Sequence, residues 1–192
     1  MNKNNPLQHF DIDKEMRSKL KNQKPCVIWL TGISGAGKST IANALDKKLH
    51  SMGKHTYVLD GDNVRNGLCS DLGFKDADRK ENIRRVSEVA KLMLDAGLIV
   101  ITAFISPFEK DRQFAKGLFE KVEFIEVFVK TSFQTAEKRD IKGLYKMARE
   151  GRISSYTGFD SIYETPSNPD VTIDTEVESL EESVSRLINL LY

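Results

Sequence analysis

The stretch Gly32-Ile33-Ser34-Gly35-Ala36-Gly37-Lys38-Ser39 constrains this chain more than any other. It follows the apolar run Cys26-Val27-Ile28-Trp29-Leu30 and opens a helix-compatible run from Thr40 to Leu49. The spacing is G-x-x-x-x-G-K-[ST], the phosphate-cradling P-loop. Glycines let the backbone curl so that successive N–H groups point at phosphate oxygens. The following helix adds the positive end of its dipole. In this pattern Lys38 reaches the β- and γ-phosphates and the Ser39 hydroxyl ligates Mg²⁺, with Thr40 beside it. A Gly/Ser-rich turn with an incidental lysine would look similar, but the strand before and the helix after are the context the motif requires. The pattern therefore implies a nucleoside triphosphate site.

Downstream, short apolar runs alternate with longer amphipathic ones. Strands are expected at 25–31, 55–60, 98–104, 123–129 and 171–173, and helices at 38–52, 79–96, 107–120, 132–148 and 177–191. In 79–96, Ile83, Val86, Val89, Ala90 and Met93 keep helical spacing, and Gly97 stops the run. Strands alternating with helices give βαβ units and a parallel sheet. The expected fold is α/β: a three-layer, doubly wound parallel β-sheet of the P-loop NTPase/kinase type, with ligands at the carboxyl ends of the strands. Residues 1–24 read as a leader segment or short helix, and 25–192 as the P-loop kinase domain.

The bulk properties narrow the class. A net charge of +1 over 192 residues argues against a nucleic-acid binder. No apolar run approaches 18 residues, so no membrane span is expected. The opening Met-Asn-Lys-Asn-Asn-Pro lacks the basic-then-apolar order of a signal peptide. Cys26 and Cys69 show neither disulfide nor zinc spacing, which fits a reducing cytoplasm.

Three constellations carry further chemistry. Leu59-Asp60-Gly61-Asp62-Asn63-Val64-Arg65 lies at the end of the second strand, where an acidic residue can face the P-loop. Asp62, rather than Asp60, is the better candidate to hold Mg²⁺ or accept a proton from an attacking hydroxyl. A glycine turn with capping aspartates is the plainer reading. Arg65 offers a planar fork to an anion. In the second constellation Arg79 and Asn82 are three apart at a helix start, hence on one face. Phe74 could stack on a base, although a solvated, capped helix start explains the same residues. Third, Lys138, Arg139, Lys142, Lys146, Arg149 and Arg152 crowd together with Tyr145 and Tyr156, interrupted by Gly143, Gly151 and Gly158. This reads as a basic lid that excludes water over phosphates, or as a solvated face. In Phe104-Ile105-Ser106-Pro107, Ser106 is expected to N-cap the next helix with Pro107 at its first position.

Taken together, the chain resembles the adenylylsulfate kinases (APS kinases) from about residue 24 to 174. The resemblance rests on the P-loop, Asp60-Gly61-Asp62-Asn63-Val64-Arg65, Asp78-Arg79, Glu81-Asn82-Ile83-Arg84-Arg85, Phe104-Ile105-Ser106-Pro107, Arg139-Asp140, Lys142-Gly143-Leu144-Tyr145, Thr157-Gly158-Phe159-Asp160 and Tyr163-Glu164. It implies transfer of the ATP γ-phosphoryl group to the 3′-hydroxyl of adenosine 5′-phosphosulfate. The implied acceptor residues are Asp62, Asn63, Arg65, Phe74, Arg79, Asn82, Ile105, Ser106, Lys142 and Tyr156. By the same resemblance Lys38, Asp62 and Ser106 are the catalytic candidates, Ser106 matching a serine described as a phosphoserine intermediate. Ser39 and Asp62 are the metal candidates, Arg139 lies on the ATP side, and a homodimer is expected. Departures from the family pattern occur across 131–137 and at Lys75, Tyr156 and Ile162. Other P-loop metabolite kinases and a regulatory nucleotide-binding module are the alternatives. The latter is disfavoured because no Asn-Lys-x-Asp guanine reader is present.

Overall fold

The computed structural model describes residues 8, 10–140, 143–153, 157, 159 and 161–192. Along these, α1 (Lys14–Leu20), β1 (Cys26–Thr31), α2 (Lys38–Ser51), β2 (Thr56–Asp60), α3 (Gly61–Arg65), α4 (Asp76–Asp95) and β3 (Ile99–Ala103) form the first half. Then come α5 (Glu109–Lys116), β4 (Phe124–Lys130), α6 (Phe133–Arg139), α7 (Leu144–Arg149), β5 (Val171–Asp174) and α8 (Leu180–Leu191). The strands pair in the order β2-β3-β1-β4-β5, parallel throughout.

The continuous apolar runs have a physical cause. β1 is buried at all six positions, as a central strand covered on both faces must be. Strand alternation sends Ile28, Leu30, Ile99, Ile101 and Val127 against Ile41, Leu45 and Leu49 of α2 and Leu187 of α8. The opposite set, Val27, Trp29, Val100 and Phe124, meets Ile83, Val86, Ala90 and Leu94 of α4 and Ala115 of α5. Trp29 is fully buried between Phe104 and Phe124, with ring centroids 6.2 and 5.7 Å away. The expected three-layer architecture is the one found. From β1 the chain runs out to β2, returns to β3, then crosses to β4 on the other side. That reversal opens the crevice above β1 in which a doubly wound sheet binds its ligands.

Several local expectations give way. The helix expected over 132–148 is two helices: α6 ends at Arg139, and α7 starts after Gly143, whose φ of +66° breaks helical geometry. α4 begins at Asp76, earlier than expected, with Asp76 and Asp78 favourably placed in its first turn. α3 was not expected; Asp60 caps this five-residue helix, which is too short to show apolar periodicity. Ser106 is not an N-cap, because α5 starts only at Glu109 with Phe108 at the cap position.

Residues 14–23 are fastened to the base of the sheet. Lys14 pairs with Glu123, and Arg17 with Asp95 at 2.8 Å. The Gln23 amide donates to Gly97 O at 2.8 Å and accepts from His55 N at 2.8 Å.

Both cysteines are free and buried, and burial pushes the Cys26 thiol up to about 12. Thiolate is the reactive form. Native protein at pH 8 is therefore expected to leave a chromogenic disulfide reagent unreacted, and both thiols should titrate once denaturant is added. Rapid reaction of either thiol in the folded protein would contradict this packing.

Candidate active site

The P-loop is wedged against β4 and α6. A Cβ on Gly32 would run into the Val129 carbonyl oxygen, and one on Gly35 would lie 2.8 Å from Ala136 O. Only glycine lets the loop pass here. Ala36, fully buried, packs into the core beneath the loop. Lys38 is 8% exposed, and its ammonium donates to Gly32 O and Ile33 O, both at 2.8 Å. α2 opens with Gly37 at its cap, no side-chain cap and no acidic residue in the first turn, but with Lys38 there. A 14-residue helix that places a cation at its positive end is unfavourable unless an anion joins it. That is the condition a triphosphate meets.

Ser39 and Thr40 lie exposed in the first turn. The Ser39 hydroxyl donates to Asp60 Oδ2 at 2.6 Å, while Asp60 Oδ1 accepts from the Asp62 amide at 3.0 Å. The carboxylate that meets the P-loop serine is thus Asp60, and Asp62 sits exposed beside it in the first turn of α3. On the opposite rim Arg139 donates to Thr175 O at 2.9 Å and to Thr175 Oγ1 at 3.0 Å. The Thr175 hydroxyl in turn donates to Ala36 O at 3.1 Å. Tyr145 of α7 donates to Ser34 O at 2.8 Å. Thr175 carries no local sequence signal, since it matters only because β5 ends beside the P-loop.

A second polar face lies beyond the ends of β2 and β3. Asn63 is exposed on α3, and Arg65 donates to Gly73 O at 2.8 Å while lying over the Phe74 ring, 4.4 Å from its centroid. Burial holds the Arg65 guanidinium below its usual pKa. Phe74 is 59% exposed, so it keeps open surface for a stacking partner. Arg79 and Asn82 are buried, not solvated as the plainer reading had it, and Arg79 Nε donates to Phe74 O at 2.8 Å. Asn82 Nδ2 is buried without a hydrogen-bond partner among the described residues. Buried amide nitrogens rarely remain so, and one that does is a place where a bound group can supply the missing acceptor. The rest of that motif turns outward: Arg84 and Arg85 both grip Glu81 and hold its carboxyl down at about 2. That network is surface-exposed and contributes little to stability.

Ile105 is half-buried, and Ser106 is 2% exposed with φ at +40°. The Ser106 hydroxyl accepts from Trp29 Nε1 at 3.2 Å and donates to Thr31 Oγ1 at 2.8 Å. Both partners are fully buried. Tyr163 also reaches Thr31 Oγ1, at 3.0 Å, and burial pushes its phenol up to about 12. A cleft of about 560 Å³ opens on the β4 side of the P-loop, lined by Ile33, Phe128, Phe133, Phe159, Ile162 and Tyr163 among others. Lys142 and Tyr156 lie outside the described residues.

A phosphate-cradling loop, a carboxylate on its serine and a separate polar face for a second ligand define a two-substrate P-loop phosphotransferase. The family profile of adenylylsulphate kinase matches residues 24–174. The chain is 59% identical over 180 residues to an adenylyl-sulfate kinase of Marinobacter nauticus, covering 94% of this chain and 90% of that protein. The Mycobacterium tuberculosis APS kinase, solved in complex with AMPPNP and APS, superposes with a TM-score of 0.85 at 44% identity. That match covers 88% of this chain and 98% of the other. A hexameric APS kinase from Thiobacillus denitrificans aligns with a TM-score of 0.66 at 31% identity, over 89% of this chain and 29% of that one. The chain belongs to the adenylylsulphate kinase family.

With its hydroxyl enclosed, Ser106 is expected to support the fold more than the chemistry. Ser106→Ala strands the Trp29 donor and should cost about 1–3 kcal/mol of stability. Its kcat is expected to stay within about threefold of wild type. A loss of kcat of a hundredfold or more, with the fold intact, would return the hydroxyl to the reaction.

Proposed function

We propose that the protein transfers the γ-phosphoryl group of ATP to the 3′-hydroxyl of adenosine 5′-phosphosulfate, giving 3′-phosphoadenylylsulfate and ADP, a step of sulfate activation. The observation that carries the acceptor assignment is Asn82: a buried amide whose Nδ2 has no hydrogen-bond partner among the described residues, in the same helix start as buried Arg79 and near exposed Phe74. An adenylyl group with a charged phosphosulfate offers an aromatic base, ribose hydroxyls and an anion to that set. Phe74 stacks on the base, Asn82 bonds the nucleoside side, and Arg65 and Arg79 hold the phosphosulfate. Asn63 and Ile105 complete the wall, and Lys142 and Tyr156 are proposed as further acceptor ligands.

On the donor side, residues 32–40 cradle the triphosphate and Arg139 flanks the adenine. Lys38 gives up the carbonyls of Gly32 and Ile33 for the β- and γ-phosphates. The acceptor 3′-oxygen attacks the γ-phosphorus in line as the bridging oxygen leaves with ADP, and the hydroxyl proton passes to Asp62. Transfer is direct, with no phosphoserine, in keeping with the enclosed Ser106 hydroxyl. The Ser39 hydroxyl and Asp60 carboxylate, 2.6 Å apart, are hard oxygen donors of the kind Mg²⁺ takes, with Asp62 within the same turn. When bound, Mg²⁺ would neutralise phosphate charge, with Ser39 and Asp60 as its hard oxygen donors and Asp62 as a further carboxylate beside them. The buried, unpaired thiols suit a reducing cytoplasm, and the proposed assembly is a homodimer.

Two measurements test this reading. In an ADP-release assay over a panel of acceptors, adenylylsulfate should be the substrate turned over with the highest kcat/KM; release only with a different acceptor would overturn the assignment. Asp62→Ala should lower kcat by about 10²–10⁴ with an unchanged circular dichroism spectrum. Near-normal turnover in that variant would remove Asp62 from proton transfer.

A further inference from the structure

Arg112 has no place in the reaction above, yet its side chain is 0% exposed and its guanidinium makes four hydrogen bonds. Nε donates to Glu126 Oε1 at 3.0 Å, and Glu126 is itself 3% exposed on β4. Nη1 donates to Ser106 O at 2.8 Å. Nη2 donates to Glu164 O at 2.7 Å and to the Glu109 carboxylate. The guanidinium also lies 5.8 Å from the centroid of the Tyr163 ring. One planar cation therefore joins four parts of the chain: α5, β4, the loop after β3 and the segment at 163–164.

Two of those parts converge on the end of β1. Thr31, the residue before Gly32, donates to Ile105 O at 2.8 Å, accepts from Ser106 and contacts the Tyr163 hydroxyl. Two further bonds close the circuit: Glu164 N donates to Pro107 O at 2.8 Å, and Glu109 N to the Glu164 carboxylate at 2.6 Å. Ser106 meanwhile holds a left-handed φ of +40° that a non-glycine residue keeps only when its surroundings impose it. The carbonyl at that strained residue is the one that Arg112 holds.

We infer that Arg112, anchored by Glu126, is a positioning residue that fixes the Ile105–Ser106 turn and the 163–164 segment at one distance from the P-loop, and so sets the acceptor's affinity. The inference rests on the placement of adenylylsulfate against Ile105. The forked geometry is essential to it. A lysine keeps the charge but supplies one point of attachment where the guanidinium supplies four donors at fixed angles.

The test is steady-state kinetics with each substrate varied in turn. Arg112→Lys is expected to raise KM for adenylylsulfate tenfold or more while KM for ATP stays within twofold, because the P-loop's own contacts to β4 and α6 are untouched. A single change risks unfolding by stranding Glu126, so Arg112→Met with Glu126→Leu removes both charges together. That double variant should regain thermal stability yet keep the raised acceptor KM. A wild-type acceptor KM in the double variant, or equal rises in both KM values, would reduce Arg112 to a packing role and overturn the inference. Ile105→Ala serves as the marker of acceptor placement: it should raise the acceptor KM alone, and its silence would overturn the inference at that earlier step. Wild-type activity on adenylylsulfate, measured in parallel, separates either failure from a failure of the functional reading.

Discussion

The close approach of the P-loop backbone to the carboxyl end of β4 governs the rest of this structure. Gly32 and Gly35 pass the carbonyls of Val129 and Ala136 with no room for a side chain. This contact presses a loop, normally the most mobile part of a fold, onto its most buried strands. Lys38, Ser39 and the start of α2 inherit their positions from it. The rim contacts from Arg139 and Thr175 add to a loop already held from below.

Donor and acceptor halves meet at one strand terminus. Thr31 contacts the acceptor turn and Tyr163, and the very next residue begins the phosphate cradle. Thr31 therefore ties the 105–106 turn directly to the first residue of the cradle. Reactions that depend on two bound groups meeting in line gain most from such an arrangement, because small errors in separation are costly.

Much of this was legible in the sequence, for identifiable reasons. Strands covered on both faces must be apolar throughout, so Cys26 to Leu30 and Ile99 to Ala103 announce themselves, and the P-loop is a local motif whose chemistry follows from spacing. What could not be read depends on distance in space. Ser106-Pro107 carries a local helix-start signature, but Trp29 and Thr31 claim the serine and shift the helix start to Glu109. Two aspartates flank Gly61, and only the geometry of the turn decides that Asp60 meets Ser39. Arg112 sits in the highly charged run Glu109-Lys110-Asp111-Arg112, which looks like a solvated helix. The available clue was Glu126, a lone carboxylate within the otherwise apolar run Phe124-Ile125-Glu126-Val127-Phe128-Val129. A charge in a central strand needs a buried counter-charge from elsewhere.

That pair also bears on how the protein can change over generations. Losing either member alone leaves a desolvated charge without its partner, a defect of roughly 3–5 kcal/mol, comparable with the whole stability of many domains. Replacing both by apolar residues removes the unpaired charge and leaves the smaller cost of the donors lost by Ser106 O, Glu164 O and Glu109. Positions 112 and 126 therefore sit on opposite sides of a fitness valley that single substitutions cross poorly. Across lineages the two should be retained or exchanged jointly, while the exposed charges around Glu81 drift one at a time.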